Sequence, residues 1–231
     1  IMKNLCVICA RKNSKGLKNK NFKKLNGKPL IFHTISLAVK SKIFNKITVS
    51  SDSQKILNFA KRNGANVTLL RPKSLSRDDT PKINAIKHAF KETEKTTNIK
   101  FDFITDLDVS SPLRNMQDLK NSFNLFKNKK KYGNLITICD SRKNPFYNMV
   151  KLKNNVVSKI LKSNVNINSR QKAPRSYDMN ASIYIWKRKS LLNDKRIVND
   201  KTLAYKMPLT RSIDIDTKED WKIVECLWKN K

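Results

Sequence analysis

The chain has 231 residues and a mass of 26.8 kDa, the size of one domain with room for a small appended lobe. No stretch approaches the roughly 20 apolar residues that a bilayer-crossing helix needs, and the long Ile, Leu, Val and Phe runs within a 39% hydrophobic composition argue against full disorder. Fifty bases against 18 acids give a formal net charge of +32, which by itself invites a nucleic-acid partner.

Strand and helix patterns alternate along the chain. Residues 3–10 form a buried-strand run, and residues 29–39 show helical spacing in Leu30, Thr34 and Ala38. A second strand is predicted over 46–50, with Asp52 capping a helix whose apolar face is Ile56, Leu57 and Ala60 and which Gly64 ends. A third strand over 67–70, a helix over 80–94 and a fourth strand over 101–107 follow. Leu119, Phe123 and Phe126 mark the next helix at i, i+4 and i+7, leading to a strand over 134–139. The pattern then changes: residues 142–178 read as short strands and loops broken by Pro145 and Pro174, an inserted lobe within a single domain spanning 1–231. Strands over 180–186 and 203–207 and a helix over 217–227 close the chain. This alternation predicts an α/β fold, a mainly parallel sheet with helices on both faces.

Several residue types carry little chemistry here. Cys6 and Cys9 form C-x-x-C, but an odd spacing on a strand sends the two thiols to opposite faces, and Cys139 and Cys226 stand alone. His33 and His88 lie among apolar residues of predicted helices and read as structural or solvated. After Lys3 only a short apolar run, residues 5–10, precedes further bases, so no secretory signal is visible and a cytoplasmic location is expected. The lysine run 129–131 reads as a solvated helix end.

The excess charge is made of 39 Lys and only 11 Arg, beside 27 Asn and 4 Gly, and it runs along the whole chain. Compositional bias explains most of it, since Arg with its bidentate fork is the more telling phosphate reader. Aromatics are 8% and sit mostly at core spacing, without a stacking motif, which also counts against a nucleic-acid-binding module. Where the bases concentrate is more informative. Arg11, Lys12, Lys15, Lys18, Lys20 and Lys23 crowd the turn after the first strand with no acid among them, and Gly16 frees the backbone there. The order is not that of a Walker loop; the turn suits a polyphosphate, or is simply solvated surface. Late in the chain, Asp214 and Asp216 alternate with Ile213 and Ile215. In an extended segment both carboxylates share one side, as a magnesium shell completed by phosphate and water requires, or as a half-buried edge strand would place them. Arg71-Pro72 and the loop 108–114 also follow strand ends, where open parallel sheets bind ligands, with Ser111 or Asn115 available to cap a helix.

Eight motifs occur in order: Arg11-Lys-Asn-Ser-Lys-Gly-Leu with Lys20-Asn21, Asn26-Gly-Lys-Pro-Leu30, Ser51-Asp52-Ser53, Leu70-Arg-Pro72, Ser111-Pro-Leu-Arg114, Arg170-Gln171, Asn180-Ala-Ser-Ile-Tyr184 and Ser212-Ile-Asp-Ile-Asp-Thr217. Together they resemble the acylneuraminate cytidylyltransferase (CMP-sialic acid synthetase) family over essentially the full length. The resemblance implies a Rossmann-like nucleotidyltransferase that joins CTP to a nonulosonic acid, releasing pyrophosphate, and a homodimer exchanging the lobe. It places Arg11, Ser14, Lys15, Lys20, Asn21 and Arg71 around CTP, and Mg2+ on Asp214 and Asp216; of these, Arg11, Lys15, Lys20 and the two aspartates serve catalysis. Asp108, Arg170, Asn180 and Tyr184 fall in the sugar pocket, Arg170 reaching the neighbouring subunit's site.

The chain departs from the family at four places. Asn13 replaces the common Gly of the phosphate loop, a change that Asn tolerates through its ease in left-handed backbone. Asp108 stands where many sialic acid enzymes carry Gln, Ile197-Val198 where an aromatic pair often borders the acyl group, and Asp178 where some members have Arg. The last three fall in the sugar pocket and leave room for a related acid such as legionaminate. A cytidylyltransferase for a 3-deoxy-octulosonate-type acid is the alternative within the class, and the Arg170-Gln171 and Asn180–Tyr184 motifs fit it less well.

Overall fold

A computed structural model describes residues 2–12, 16–161 and 167–229. In chain order the elements are β1 (Asn4–Cys9), the short pair β2 (Lys24–Leu25) and β3 (Lys28–Pro29), α1 (Leu30–Ser41), β4 (Lys46–Ser51), α2 (Gln54–Arg62), β5 (Val67–Leu70), α3 (Lys82–Thr97), β6 (Phe103–Leu107), α4 (Met116–Lys127) and β7 (Asn134–Asp140). The hairpin β8 (Val150–Lys153) and β9 (Val156–Lys159) follows, then β10 (Tyr177–Lys187), α5 (Arg188–Asn193), β11 (Thr202–Lys206) and α6 (Lys218–Lys229).

Seven strands form one sheet in the order β11-β7-β10-β6-β1-β4-β5. All neighbours pair in parallel except β10, which runs against both β6 and β7. The mainly parallel sheet expected from the alternation is thus present, with one reversed strand. Alternate side chains of β1 feed two cores: Cys6 and Ile8 pack with α1, α2, α4 and α6, while Leu5 and Val7 pack with α3 and α5. Helices therefore cover both faces, and the thiols of Cys6 and Cys9 point to opposite sides as their spacing requires.

The boundaries differ where local chemistry overrides periodicity. Asp52 does not cap α2; Ser53 occupies that position, and the Asp52 carboxylate accepts the Lys12 N–H at 2.7 Å. The helix expected over 80–94 starts at Lys82, because Pro81 supplies its N-cap, and runs on to Thr97. Asn115 caps α4 in a reciprocal box with Asp118, so of the two candidate caps it is Asn115 that serves. The strand expected over 180–186 extends over 177–187, paired to β7 on both sides of an irregularity between Met179 and Tyr184 where Ala181 adopts φ 50°. Within 142–178 the described structure is the β8–β9 hairpin and a turn of 3₁₀ helix at Arg170–Lys172.

Candidate active site

The carboxyl ends of the parallel strands open onto a cavity of about 270 Å³. Its walls include Cys9, Ala10, Arg11, Lys20, Asn21 and Arg71 from the ends and following turns of β1 and β5, and Asp108, Ser110, Asp214 and Asp216. The basic turn and the late acid pair, 195 residues apart in sequence, meet directly. Lys20 Nζ donates to the Ile215 carbonyl at 2.6 Å and lies 3.2 Å from Asp216 Oδ1. Gly16 lies so close to the Asp216 carbonyl that a Cβ there would collide with backbone. Asn21 ties the turn to itself by donating to the Arg11 carbonyl at 2.7 Å.

The segment carrying the acid pair belongs to no strand or helix and is held by isolated bonds. Ile215 is fully buried and its N–H donates to the Ser110 carbonyl at 3.0 Å, which turns Asp214 and Asp216 toward the cavity. Arg71 is 4% exposed; one guanidinium nitrogen donates to the Ala10 carbonyl at 3.3 Å, while its Nε has no hydrogen-bond partner. A buried cation beside a cavity, with a donor unspent, is what a phosphate or carbonyl oxygen of a ligand would satisfy. Arg11, by contrast, is half exposed and pairs with Asp78 at 2.7 Å across the mouth.

Acids gather on the far wall. Burial, and then the neighbouring Asp108 charge, push the Asp214 carboxyl up to about 6, with Ser110 and Lys20 opposing. Its Oδ1 is buried without a partner. Lys82 donates to Asp108 Oδ2 at 2.6 Å and makes an ion pair with Asp106 Oδ2 at 2.6 Å. Burial alone would depress this lysine, but the two carboxylates overcome it and hold Lys82 well above its usual range. Burial likewise opposes ionisation of Asp108, yet Lys82 and the Ser110 donors keep it below the usual carboxylate range. Asp106, fully buried, is pushed up by desolvation against the pull of Lys82.

Seven of the residues singled out in the sequence line the cavity: Arg11, Lys20, Asn21, Arg71, Asp108, Asp214 and Asp216. Ser14 and Lys15 lie outside the described residues. Asn180 and Tyr184 are buried behind the wall. The Asn180 amide accepts from Thr137 and donates to Ser212 Oγ at 2.9 Å, so it steadies the acid-pair segment. Arg170 lies apart, in a second cavity with Asn144 and Arg175, donating to the Ser141 carbonyl at 3.0 Å. Arg114 is interior too, bonded to the Ser182 carbonyl and Thr34 rather than facing the cavity. Sequence reasoning passed over Lys82 and Asp106. The spacing rule applied to Asp214 and Asp216 also describes Asp106 and Asp108, two acids at i and i+2 in an apolar run, and it would have found them. Nothing in the sequence marks Lys82.

The acid wall suits a divalent ion. Among the described residues no three His, Cys, Asp or Glu side chains form a metal cluster, but magnesium takes one or two carboxylates and fills its shell with phosphate and water. The orphaned Asp214 oxygen beside Asp216, with like charge crowding it, is a donor pair of that kind.

A family model described as cytidylyltransferase matches residues 5–229. The chain is 41% identical over 223 residues to a CMP-N,N'-diacetyllegionaminic acid synthase of Campylobacter jejuni, covering 96% of this chain and 94% of that one. It is 39% identical over 228 residues to post-translational flagellin modification protein B of Campylobacter coli, covering 98% and 95%. Among solved structures, a CMP:2-keto-3-deoxy-manno-octonic acid synthetase complexed with CTP superposes with a TM-score of 0.70 at 15% identity, covering 99% of each chain, which speaks to the fold. By its full-length match, and with a cation-lined turn facing paired carboxylates at the strand ends, the chain belongs to the cytidylyltransferase family.

Proposed function

We propose that this enzyme transfers CMP from CTP to the anomeric hydroxyl of a nonulosonic acid of the legionaminate or sialate kind, with release of pyrophosphate. The observation that carries the reading is the contact of Lys20 with Ile215 and Asp216, which makes the basic turn and the acid pair two walls of one cavity. The relative named as a CMP-N,N'-diacetyllegionaminic acid synthase, at 41% identity, favours a nine-carbon acid over an octulosonate.

Phosphoryl-type transfer asks the protein for position and charge more than for covalent chemistry. Arg11, Lys20 and Arg71 neutralise and orient the triphosphate, and the first two hold the pyrophosphate as it leaves. The sugar hydroxyl attacks the α-phosphorus in line; its oxygen forms the new P–O bond as the bond to pyrophosphate breaks, and its proton passes to solvent water. Asp214 and Asp216 would hold magnesium, which when bound supplies charge neutralisation on phosphate oxygens and acidifies a hydroxyl or water nearby. The family resemblance gives Asp108 a place beside the acceptor, and its position on the cavity wall supports that.

A homodimer also belongs to this reading. The β8–β9 hairpin exposes Val150, Leu152 and Val157 on one face, each more than half accessible, an apolar patch suited to a second copy. The placement of Arg170 away from its own chain's cavity fits a role in the neighbour's site. A cytoplasmic location suits CTP as substrate; among the described residues no helix is long and apolar enough to cross a membrane.

The test is a pyrophosphate-release assay with purified protein, CTP, Mg2+ and a panel of nonulosonic acids beside 3-deoxy-manno-octulosonate. Turnover with a nonulosonic acid supports the reading; turnover with the octulosonate alone overturns the acceptor class. Near-normal turnover by Asp216→Asn in magnesium would remove the metal assignment.

A further inference from the structure

The segment between Arg211 and α6 belongs to no strand or helix, yet it carries both carboxylates of the acid pair. Such a stretch cannot rely on ladder hydrogen bonds for its placement. Its upstream end is tied to α4 through Arg211, whose Nε and Nη2 donate to Asp118 Oδ2 and Oδ1 at 2.8 and 2.9 Å. Asp118 is fully buried. Its Oδ2 also accepts the Asn115 N–H at 3.0 Å in the capping box, so the carboxylate moves only with α4. The contact is a planar two-point fork with both ends immobilised, three residues before Asp214.

A pair of this kind, its acid buried and its guanidinium a third exposed, adds little net stability, because desolvation of the acid and solvent screening of the base offset most of the attraction. What it adds is direction. Ser212, next in the chain, is held by Asn180, and Ile215 by Ser110. These bonds set how far the segment reaches, while the Arg211 fork sets the angle at which it enters. We propose that Arg211 and Asp118 are positioning residues for the acid pair, aiming Asp214 and Asp216 so that they can share one divalent cation. The inference rests on the reading of those two aspartates as the metal-bearing pair.

Two variants test it. Arg211→Lys keeps the charge but cannot make the fork. The double variant Arg211→Met with Asp118→Asn removes both charges and leaves an acceptor for the Asn115 N–H. Mn2+ binding is followed by the electron paramagnetic resonance of the free ion, CTP binding in EDTA by calorimetry, and folding by thermal melting. The expected result is a fall in Mn2+ affinity of about 10- to 100-fold in both variants, the range typical of lost outer-shell partners. Metal-free CTP affinity should stay within about twofold, since the basic turn is untouched. Mn2+ affinity unchanged in both variants, or falling only in step with metal-free CTP affinity, overturns the proposal. Wild-type Mn2+ binding that survives Asp214→Asn would instead overturn the metal reading beneath it, and the proposal with it.

Discussion

Asp214→Asn should stabilise the ligand-free protein while abolishing its turnover. The folded protein raises this carboxyl from 3.8 to about 6, because it is buried beside Asp108. A raised acid pKa means that the folded state prefers the protonated form. The favourable contribution is complete below the unfolded value and is lost as pH rises through about 6. At neutral pH the ionised side chain therefore opposes folding, by at most about 3 kcal/mol at 1.36 kcal/mol per pKa unit. Asparagine has nearly the same shape and no charge to bury. In the absence of nucleotide and metal, its melting temperature should exceed that of the wild type by roughly 2–8 °C at pH 7.5, taking about 2–4 °C per kcal/mol for a chain of this size and allowing for partial relaxation. The gap should shrink as the pH falls through about 6 and close below the unfolded value of 3.8, where both states of the wild type are neutral at this position. Thermal melts across this range, in EDTA, supply the measurement. A gap independent of pH, or a less stable variant at pH 7.5, would refute the account of why Asp214 is strained.

Gly16→Ala would drive a Cβ into the Asp216 carbonyl and separate the two walls, so kcat/KM should fall at least about tenfold, a transition-state loss above about 1.4 kcal/mol; an unaltered rate would show that the approach is not needed. Arg71→Met should raise the KM for CTP by about 10- to 100-fold, the worth of one charged hydrogen bond, with the acceptor KM little changed. Lys82→Met leaves Asp106 buried without its ion partner and should cost about 3–5 kcal/mol of stability by denaturant titration. Adding Asp106→Asn should recover much of that loss; no recovery would mean that Lys82 acts through packing rather than charge.

The basic turn and the acid pair of the cavity were legible in the sequence because their signals are local. A basic turn directly after an apolar strand, and two acids alternating with isoleucines, each announce their place through spacing alone. That the two meet follows from the sheet order, which periodicity does not specify; the family motifs supplied it. Lys82 was hidden for a different reason. It occupies the first turn of α3, a helix start like many others, and becomes informative only when β6 brings Asp106 and Asp108 under its ammonium. Arg114 misled in the opposite direction: a charged residue in a loop beyond a strand end suggests a pocket, yet its guanidinium is buried in the interior, where its two terminal nitrogens bond the Ser182 carbonyl and Thr34. Asn180 likewise serves the site from behind, and no spacing rule distinguishes a side chain that touches a ligand from one that braces its neighbour.

The reversed direction of β10 has a consequence for how such an enzyme can diversify. β7 ends and β10 begins at the same edge of the sheet, their ends joined by the pairing of Tyr177 with Asp140 and by the Ser141 N–H bonded to the Ser176 carbonyl at 3.2 Å. The described residues between Arg142 and Arg175 therefore belong to a detour that leaves and re-enters the sheet through one doorway, beside the cavity that holds Arg170. A detour of that kind can be lengthened, shortened or exchanged for another without rethreading a single strand, which makes it a natural cassette for grafting new acceptor preferences onto an unchanged nucleotide-binding frame.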